Sequence, residues 1–155
     1  MPALTGIGPG GRRKTVSYRQ GGKGTPILVF EPRCGACLLN APRWRRLVAA
    51  VDARRVRIIG VALEATGLSP AGLLAAFREA GVRGFPVLRP SGSSVFWYRL
   101  RLTPQTLLVG PGGHVRGVWS GILSAAGLAR VMAVAARIGA GAPPGRSGPA
   151  ASPIG

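Results

Sequence analysis

Residues 26–42 read PILVFEPRCGACLLNAP, a short apolar run followed at once by two closely spaced cysteines. The run from Pro26 to Phe30 is long enough for a buried β-strand. Cys34 and Cys37 come next, and the pattern after them is helical to about Asp52. The stretch therefore predicts a strand, a C-x-x-C pair at the turn, and a helix that begins at the cysteines.

Strand and helix patterns alternate on the C-terminal side of this unit. The run Val56–Leu63 is nearly continuous in apolar residues, which is typical of a central parallel strand. The further predicted elements are a helix that Ser69-Pro70 opens and Gly81 ends, a short edge strand near Gly84–Leu88, a strand at Gln105–Val109, a return strand at His114–Trp119, and a last helix capped by Ser124. This order predicts the α/β class, with a mixed central sheet and helices on both of its faces.

The two ends of the chain differ from the middle in composition. Residues 1–24 are basic and Gly-rich without hydrophobic periodicity, and residues 140–155 are rich in Gly, Pro and Ala. We expect both ends to be disordered, which leaves one folded domain at residues 25–139. No apolar stretch is long enough to span a membrane, because Arg130 and Arg137 interrupt the best candidate. The first 25 residues also contain no apolar core of a secretory signal.

The charge is strongly positive, with 21 Lys and Arg against 4 Asp and Glu and a net charge of +17. Such an excess favours an anionic partner, either nucleic acid or a membrane surface. Nearly all of the basic residues are arginine, and Arg, Ala, Gly and Pro all have GC-rich codons. We therefore interpret the charge as compositional and expect no nucleic-acid partner. A basic nucleic-acid-binding protein with inert cysteines is the alternative, and it would show a steep salt dependence of binding.

The two cysteines are the only ones in the chain, and their placement predicts redox chemistry. At a helix N-terminus the free N–H groups and the helix dipole stabilise a thiolate, which is the nucleophile of disulfide exchange. Cys34 is therefore the expected attacking thiol, and Cys37, one turn later, is placed to release the product. A closed zinc site needs about four ligands. Two cysteines and the single His114 do not supply them, so we expect no metal.

From Ile27 to Ile138 the chain resembles the thioredoxin superfamily, and within it the TlpA/ResA-like thiol–disulfide oxidoreductases. Four motifs carry the resemblance, and they occur in the family's order. They are the strand–C-G-x-C–helix unit, Pro42 five residues after the second cysteine, Thr103-Pro104 before a strand and a Gly-rich hairpin, and Gly121-Ile122-Leu123-Ser124 before the last helix. The resemblance implies a thioredoxin-like three-layer sandwich.

The resemblance also implies an activity and roles for single residues. It implies that Cys34 and Cys37 are catalytic, and that they exchange a dithiol for a disulfide with protein substrates through a mixed disulfide, without a cofactor. The sequence leaves open whether the enzyme is a reductant, an oxidant or an isomerase, and we expect a reductase. Thr103 and Pro104, joined by a cis bond, and Gly121 would line the groove that binds an extended substrate. An upstream redox partner would regenerate the enzyme, which we expect to be a monomer.

Three positions depart from the family's pattern. Arg33 stands where an aromatic residue usually precedes the first cysteine, Leu28 where thioredoxins carry a buried aspartate, and Asn40 where TlpA-like proteins often carry glutamate. The acid that helps Cys37 lose its proton is therefore missing from both expected places. Glu31 is the nearest substitute in the sequence and is a candidate proton acceptor. The alternative for Glu31 is an ordinary solvated carboxylate at the end of a strand.

A second function also stays open, in which a thioredoxin-fold module binds or delivers copper with the same two thiols. Copper chaperones of this fold use a C-x-x-x-C spacing, which the chain lacks. The location stays open as well. The resemblance implies an extracytoplasmic enzyme, whereas a chain that begins at Met1 without an export signal is cytoplasmic. We expect membrane association only where an upstream anchor is present.

Overall fold

The computed structural model describes residues 1–8, 10–18, 23–63, 72, 75, 78–79 and 81–140. The helix predicted to begin at Ser69-Pro70 lies mostly outside the described residues; those of its positions that are described, 72, 75, 78 and 79, are helical. The predicted tail lies outside them too, apart from Ala140. Within the described residues, no helix is long and apolar enough to cross a membrane.

The described residues form one mixed sheet with helices packed against it. In chain order the elements are β1 (Leu4–Ile7), β2 (Arg13–Val16), β3 (Thr25–Phe30), α1 (Gly35–Ala50), β4 (Ile59–Ala62), β5 (Val87–Pro90), α2 (Gly92–Tyr98), β6 (Gln105–Val109), β7 (Val115–Ser120) and α3 (Ala125–Gly139). The strand order across the sheet is β2-β1-β5-β4-β3-β6-β7. Strand β4 lies parallel to both β3 and β5, and the other pairs are antiparallel. The predicted α/β class with a mixed sheet and a central parallel strand is confirmed.

Strand β3 shows how the sheet separates two apolar layers. All six of its residues are buried, and successive side chains of a strand point to opposite faces. Leu28 and Phe30 join the core that α1 and α3 cover. Ile27 and Val29 join a second core on the other face, which includes Tyr98 of α2. A strand buried on both sides is the centre of a three-layer sandwich, and the turn with the cysteines follows directly from it.

The expectation of a disordered N-terminal arm is wrong for Leu4–Ile7 and Arg13–Val16. Strands β1 and β2 form an antiparallel hairpin, and β1 also pairs with β5, so the hairpin extends the sheet. Leu4 is fully buried in the second core. The next inward position is Gly6, where a Cβ would collide with the carbonyl oxygen of Arg89. Because the two backbones pack closely here, this inward position must be glycine. The sequence therefore lacks the alternation of apolar and polar residues that usually marks a strand.

Two further expectations about the middle of the chain need correction. The strand expected at the sheet edge near Leu88 lies inside the sheet, because the N-terminal hairpin pairs with its outer side. Helix α2 was not expected at all. Its N-cap is Ser91, whose hydroxyl accepts a hydrogen bond from the Ser94 N–H at 3.3 Å. Serine is a common N-cap residue, but the helix after it has only 7 residues, too few to show a clear helical pattern in the sequence. The remaining strands and α3, with Ser124 as its cap, agree with the expectations.

Candidate active site

The turn after β3 places both cysteines at the first turn of α1. The Cys34 N–H donates to the Glu31 carbonyl at 3.2 Å, which closes the turn. Cys34 is the N-cap of α1, and its sulfur takes the position that a serine or aspartate oxygen usually occupies. The Cys37 N–H donates to the Cys34 Sγ at 3.1 Å. The Cys34 sulfur therefore acts as the hydrogen-bond acceptor at the start of α1.

The two thiols have very different surroundings. Cys34 is partly exposed, whereas Cys37 is 5% exposed and belongs to the core beneath α1. Burial, and after it the hydrogen bond with Cys34, raises the pKa of the Cys37 thiol to about 12. Both cysteines are free thiols in the structure. One sulfur is therefore accessible to a partner, and the other is protonated and shielded behind it.

The pairing of β3 with β6 brings Thr103 to the cysteines. Val29 pairs with Gln105, and continuing this antiparallel register by two residues places Thr103 beside Glu31. The Cys34 Sγ–H donates to the Thr103 carbonyl oxygen at 3.7 Å. The Thr103–Pro104 bond is cis, as expected. Residues about seventy positions apart in sequence thus meet at one end of the sheet.

The Glu31 carboxylate lies beside Thr103. The Thr103 hydroxyl donates to the Glu31 Oε2 at 3.5 Å. The Glu31 backbone and the Thr103 side chain both act to lower the pKa of Cys37, but burial outweighs them. Glu31 is partly buried rather than fully solvated. The contact pattern links the carboxylate, the hydroxyl and the buried sulfur.

Gly121 lies beside Pro104, on the side of β6 that pairs with β7 and not with β3. Strand β7 runs antiparallel to β6 with Ser120 opposite Gln105, so the residue after β7 lies beside the residue before β6. The Gly121 N–H donates to the Pro104 carbonyl at 2.8 Å. Its φ is +81°, and nothing lies within 4 Å of the place where a Cβ would be. The positive φ favours glycine here, and its outer face is open.

Asn40, at the position where TlpA-like proteins often carry glutamate, has a structural role at the site that the sequence does not reveal. It is fully buried one turn after Cys37, and its Oδ1 accepts a hydrogen bond from the Leu123 N–H at 2.9 Å. Its Nδ2 has no hydrogen-bond partner among the described residues. Asn40 therefore ties α1 to the loop that carries Gly121. No local pattern could reveal this, because the partner is 83 positions away.

The structure does not bring His114 to the thiols. His114 precedes β7, whereas Gly121 follows it, so they lie at opposite ends of a strand about 20 Å long. His114 is exposed beside the Gly-rich turn. Among the described residues, no group of three or more His, Cys, Asp and Glu side chains is arranged to hold a metal ion.

The chain matches no family model and no curated protein. Solved structures do match it. A thiol-disulfide isomerase from Corynebacterium glutamicum is 25% identical, covers 73% of this chain and 80% of its own, and has a TM-score of 0.60. A thiol:disulfide interchange protein of the thioredoxin family from Chlorobium tepidum TLS is 18% identical over 86% and 93% of the two chains, with a TM-score of 0.66. A secreted Mycobacterium tuberculosis disulfide oxidoreductase homologous to E. coli DsbE is 17% identical over 85% and 93%, with a TM-score of 0.65.

Proposed function

Since this chain has the thioredoxin fold, we propose that it is a thiol–disulfide oxidoreductase that reduces protein disulfides through a mixed disulfide on Cys34. The single observation that carries the proposal is the asymmetry of the two sulfurs. Cys34 is accessible at the N-terminus of α1, and Cys37 is buried one turn behind it. The solved structures that match the chain bear names of the same chemistry.

The first step is attack by the Cys34 thiolate on a substrate disulfide. A bond forms between Cys34 Sγ and one substrate sulfur, and the other substrate sulfur leaves with the electron pair as a thiolate. The Cys37 N–H, 3.1 Å from Cys34 Sγ, stabilises the charged nucleophile before attack. Because Cys37 is a protonated thiol at neutral pH, it does not compete for the substrate.

The second step is attack by Cys37 on Cys34 Sγ, which forms the intramolecular disulfide and releases the second substrate thiolate. Cys37 must lose its proton for this step, and its raised pKa makes a nearby base valuable. Glu31 is the proton acceptor in this proposal, with the Thr103 hydroxyl between its carboxylate and the Cys37 sulfur. An upstream redox partner then reduces the Cys34–Cys37 disulfide again.

The substrate in this proposal is a polypeptide, which binds in an extended form along Thr103, Pro104 and Gly121. The open space over Gly121 leaves room for a passing main chain. Three exposed aliphatic side chains, Leu38, Leu102 and Ile122, each directly follow or precede a site residue in the chain. An apolar rim of this kind favours a protein surface over a small charged disulfide.

The test is to trap the mixed disulfide. A Cys37→Ser variant keeps the attacking thiol but cannot release the substrate, so it accumulates disulfide-linked complexes with reduction-sensitive bands on non-reducing gels. The matched control is Cys34→Ser, which keeps only the buried thiol and traps few. Equal trapping by the two variants, or none by either, would refute the assigned roles. A measured reduction potential near the low end of the range of about −270 to −120 mV supports the reductase direction, and one near the high end contradicts it.

A further inference from the structure

Helix α2 carries two exposed aromatic side chains next to each other. Phe96 is 68% exposed and Trp97 is 57% exposed. Their ring centroids are 5.5 Å apart in an edge-to-face arrangement. The helix is anchored to the domain through buried Ser94 and Tyr98. The two aromatic rings are therefore not needed to pack α2 against the domain, and they face solvent.

Leu102 is a third exposed apolar residue, and it lies on the chain between α2 and the residue that contacts the thiols. The Leu100 N–H donates to the Val95 carbonyl at 3.1 Å, so the chain turns back onto α2 after the helix ends. The Cα of Leu102 is then at most about 7 Å from that of Leu100. Leu102 is 59% exposed, and the next residue contacts Cys34 through its carbonyl oxygen. We name Phe96, Trp97 and Leu102 the aromatic patch.

The surroundings of the aromatic patch are positively charged. Arg99 and Arg101 lie within the same segment and are exposed. No Asp or Glu follows Glu79 in the sequence. The fold brings one carboxylate to this end of the sheet, that of Glu31, which accepts a hydrogen bond from the Thr103 hydroxyl. Arg99 and Arg101 together still leave an excess of positive charge. An apolar surface bordered by cations is complementary to a layer that is apolar inside and anionic outside.

We propose that the aromatic patch rests on an anionic lipid surface. The rings of Phe96 and Trp97 enter the interface, where an amphipathic indole is most stable, and Arg99 and Arg101 meet the lipid phosphates. Single-stranded nucleic acid, the other anionic candidate, stacks its bases on flat ring faces. Here the edge of one ring meets the face of the other, and Leu102 has no ring. Lipid therefore fits this patch better. Binding in this orientation holds Cys34 close to the membrane surface, and it does not depend on the thiol chemistry.

The experiment uses the fluorescence of Trp97, which is exposed, whereas Trp44 is buried and Trp119 is partly buried. The full chain is titrated with vesicles of phosphatidylcholine and phosphatidylglycerol mixed in a roughly two-to-one ratio. The anionic phosphatidylglycerol attracts basic residues near the vesicle surface and so strengthens binding. The Trp emission shifts to shorter wavelength on binding. In Trp97→Phe the protein still binds on co-sedimentation, but the shift is lost.

The Phe96→Ser/Trp97→Ser double variant binds these vesicles at least about tenfold more weakly, by loss of two interfacial rings. Val118→Ser is the matched control, because Val118 is an exposed apolar residue on β7 outside the patch. It binds like the unchanged protein, and all variants keep their thiol activity in solution. Absence of vesicle binding, with or without binding to single-stranded DNA, would overturn the proposal. So would vesicle binding with no emission shift, or binding that the double variant retains.

Discussion

The reactivity of Cys37 gives the sharpest test of the site, because its protection has a single dominant cause. Burial raises the pKa of the Cys37 thiol from 9.0 to about 12. At about pH 8 this difference makes its thiolate population roughly a thousandfold smaller than that of an unperturbed thiol. Alkylation by iodoacetamide requires the thiolate. We therefore expect Cys37 in the folded, reduced protein to react about a thousandfold more slowly than Cys37 in the denaturant-unfolded protein.

The assay is a short iodoacetamide pulse, followed by quenching, digestion and mass spectrometry of the peptides that carry each cysteine. The unfolded protein is the internal reference, since both thiols are then solvated. The folded-state rate of Cys37 should also rise about tenfold per pH unit from about pH 8 to 11, without a plateau, because its pKa lies above this range. In Cys34→Ser the rate stays low, because burial is the larger cause. A folded-state rate within about tenfold of the unfolded rate at pH 8 would refute the reasoning.

Two substitutions and a matched control test the structure around the thiols, and a further substitution tests the N-terminal hairpin. Asn40→Leu leaves the Leu123 N–H without its partner, and we expect the free energy of unfolding to fall by about 1–3 kcal/mol in denaturant titrations. Gly121→Leu fills the open space beside Pro104, so kcat/KM falls for protein disulfides but not for small ones. Its control is Gly112→Leu, which has a similar positive φ, and which we expect to lose similar stability of about 1–2 kcal/mol without the change in specificity. Leu4→Ala empties a fully buried position in the N-terminal hairpin and lowers the free energy of unfolding by about 2–5 kcal/mol, whereas an unchanged denaturation midpoint would show that the hairpin does not belong to the folding unit.

The relation of the cysteines to the fold was predictable because it is local. A strand, a turn and a helix N-terminus occupy consecutive residues, and the propensities that form them act over a few positions. The buried run of β3, the span of α1 with Cys34 at its start, and the Ser124 cap of α3 were all visible in this way. The Gly-rich hairpin between β6 and β7 has the same local origin.

The N-terminal hairpin shows where local pattern ends. Strands β1 and β2 have four residues each, and Gly6 takes an inward position at which the Arg89 backbone leaves no space for a side chain. The information that makes this segment a strand lies in β5, more than eighty positions away. The same hairpin makes β5 an interior strand, whereas the sequence predicts an edge strand there.

The sequence by itself determined the class of the fold and the position of the two thiols at a helix N-terminus, because hydrophobic period and helix-end chemistry are properties of neighbouring residues. Tertiary structure alone decided what surrounds the thiols. The register between β3 and β6 places the Thr103 hydroxyl near Glu31 and Cys37, and the burial of Cys37 raises its pKa. Only the folded chain joins Asn40 to the Gly121 loop. The contacts join residues about seventy or more positions apart, and the raised pKa depends on exclusion of water. Both conditions are met only when the sheet and helices have packed.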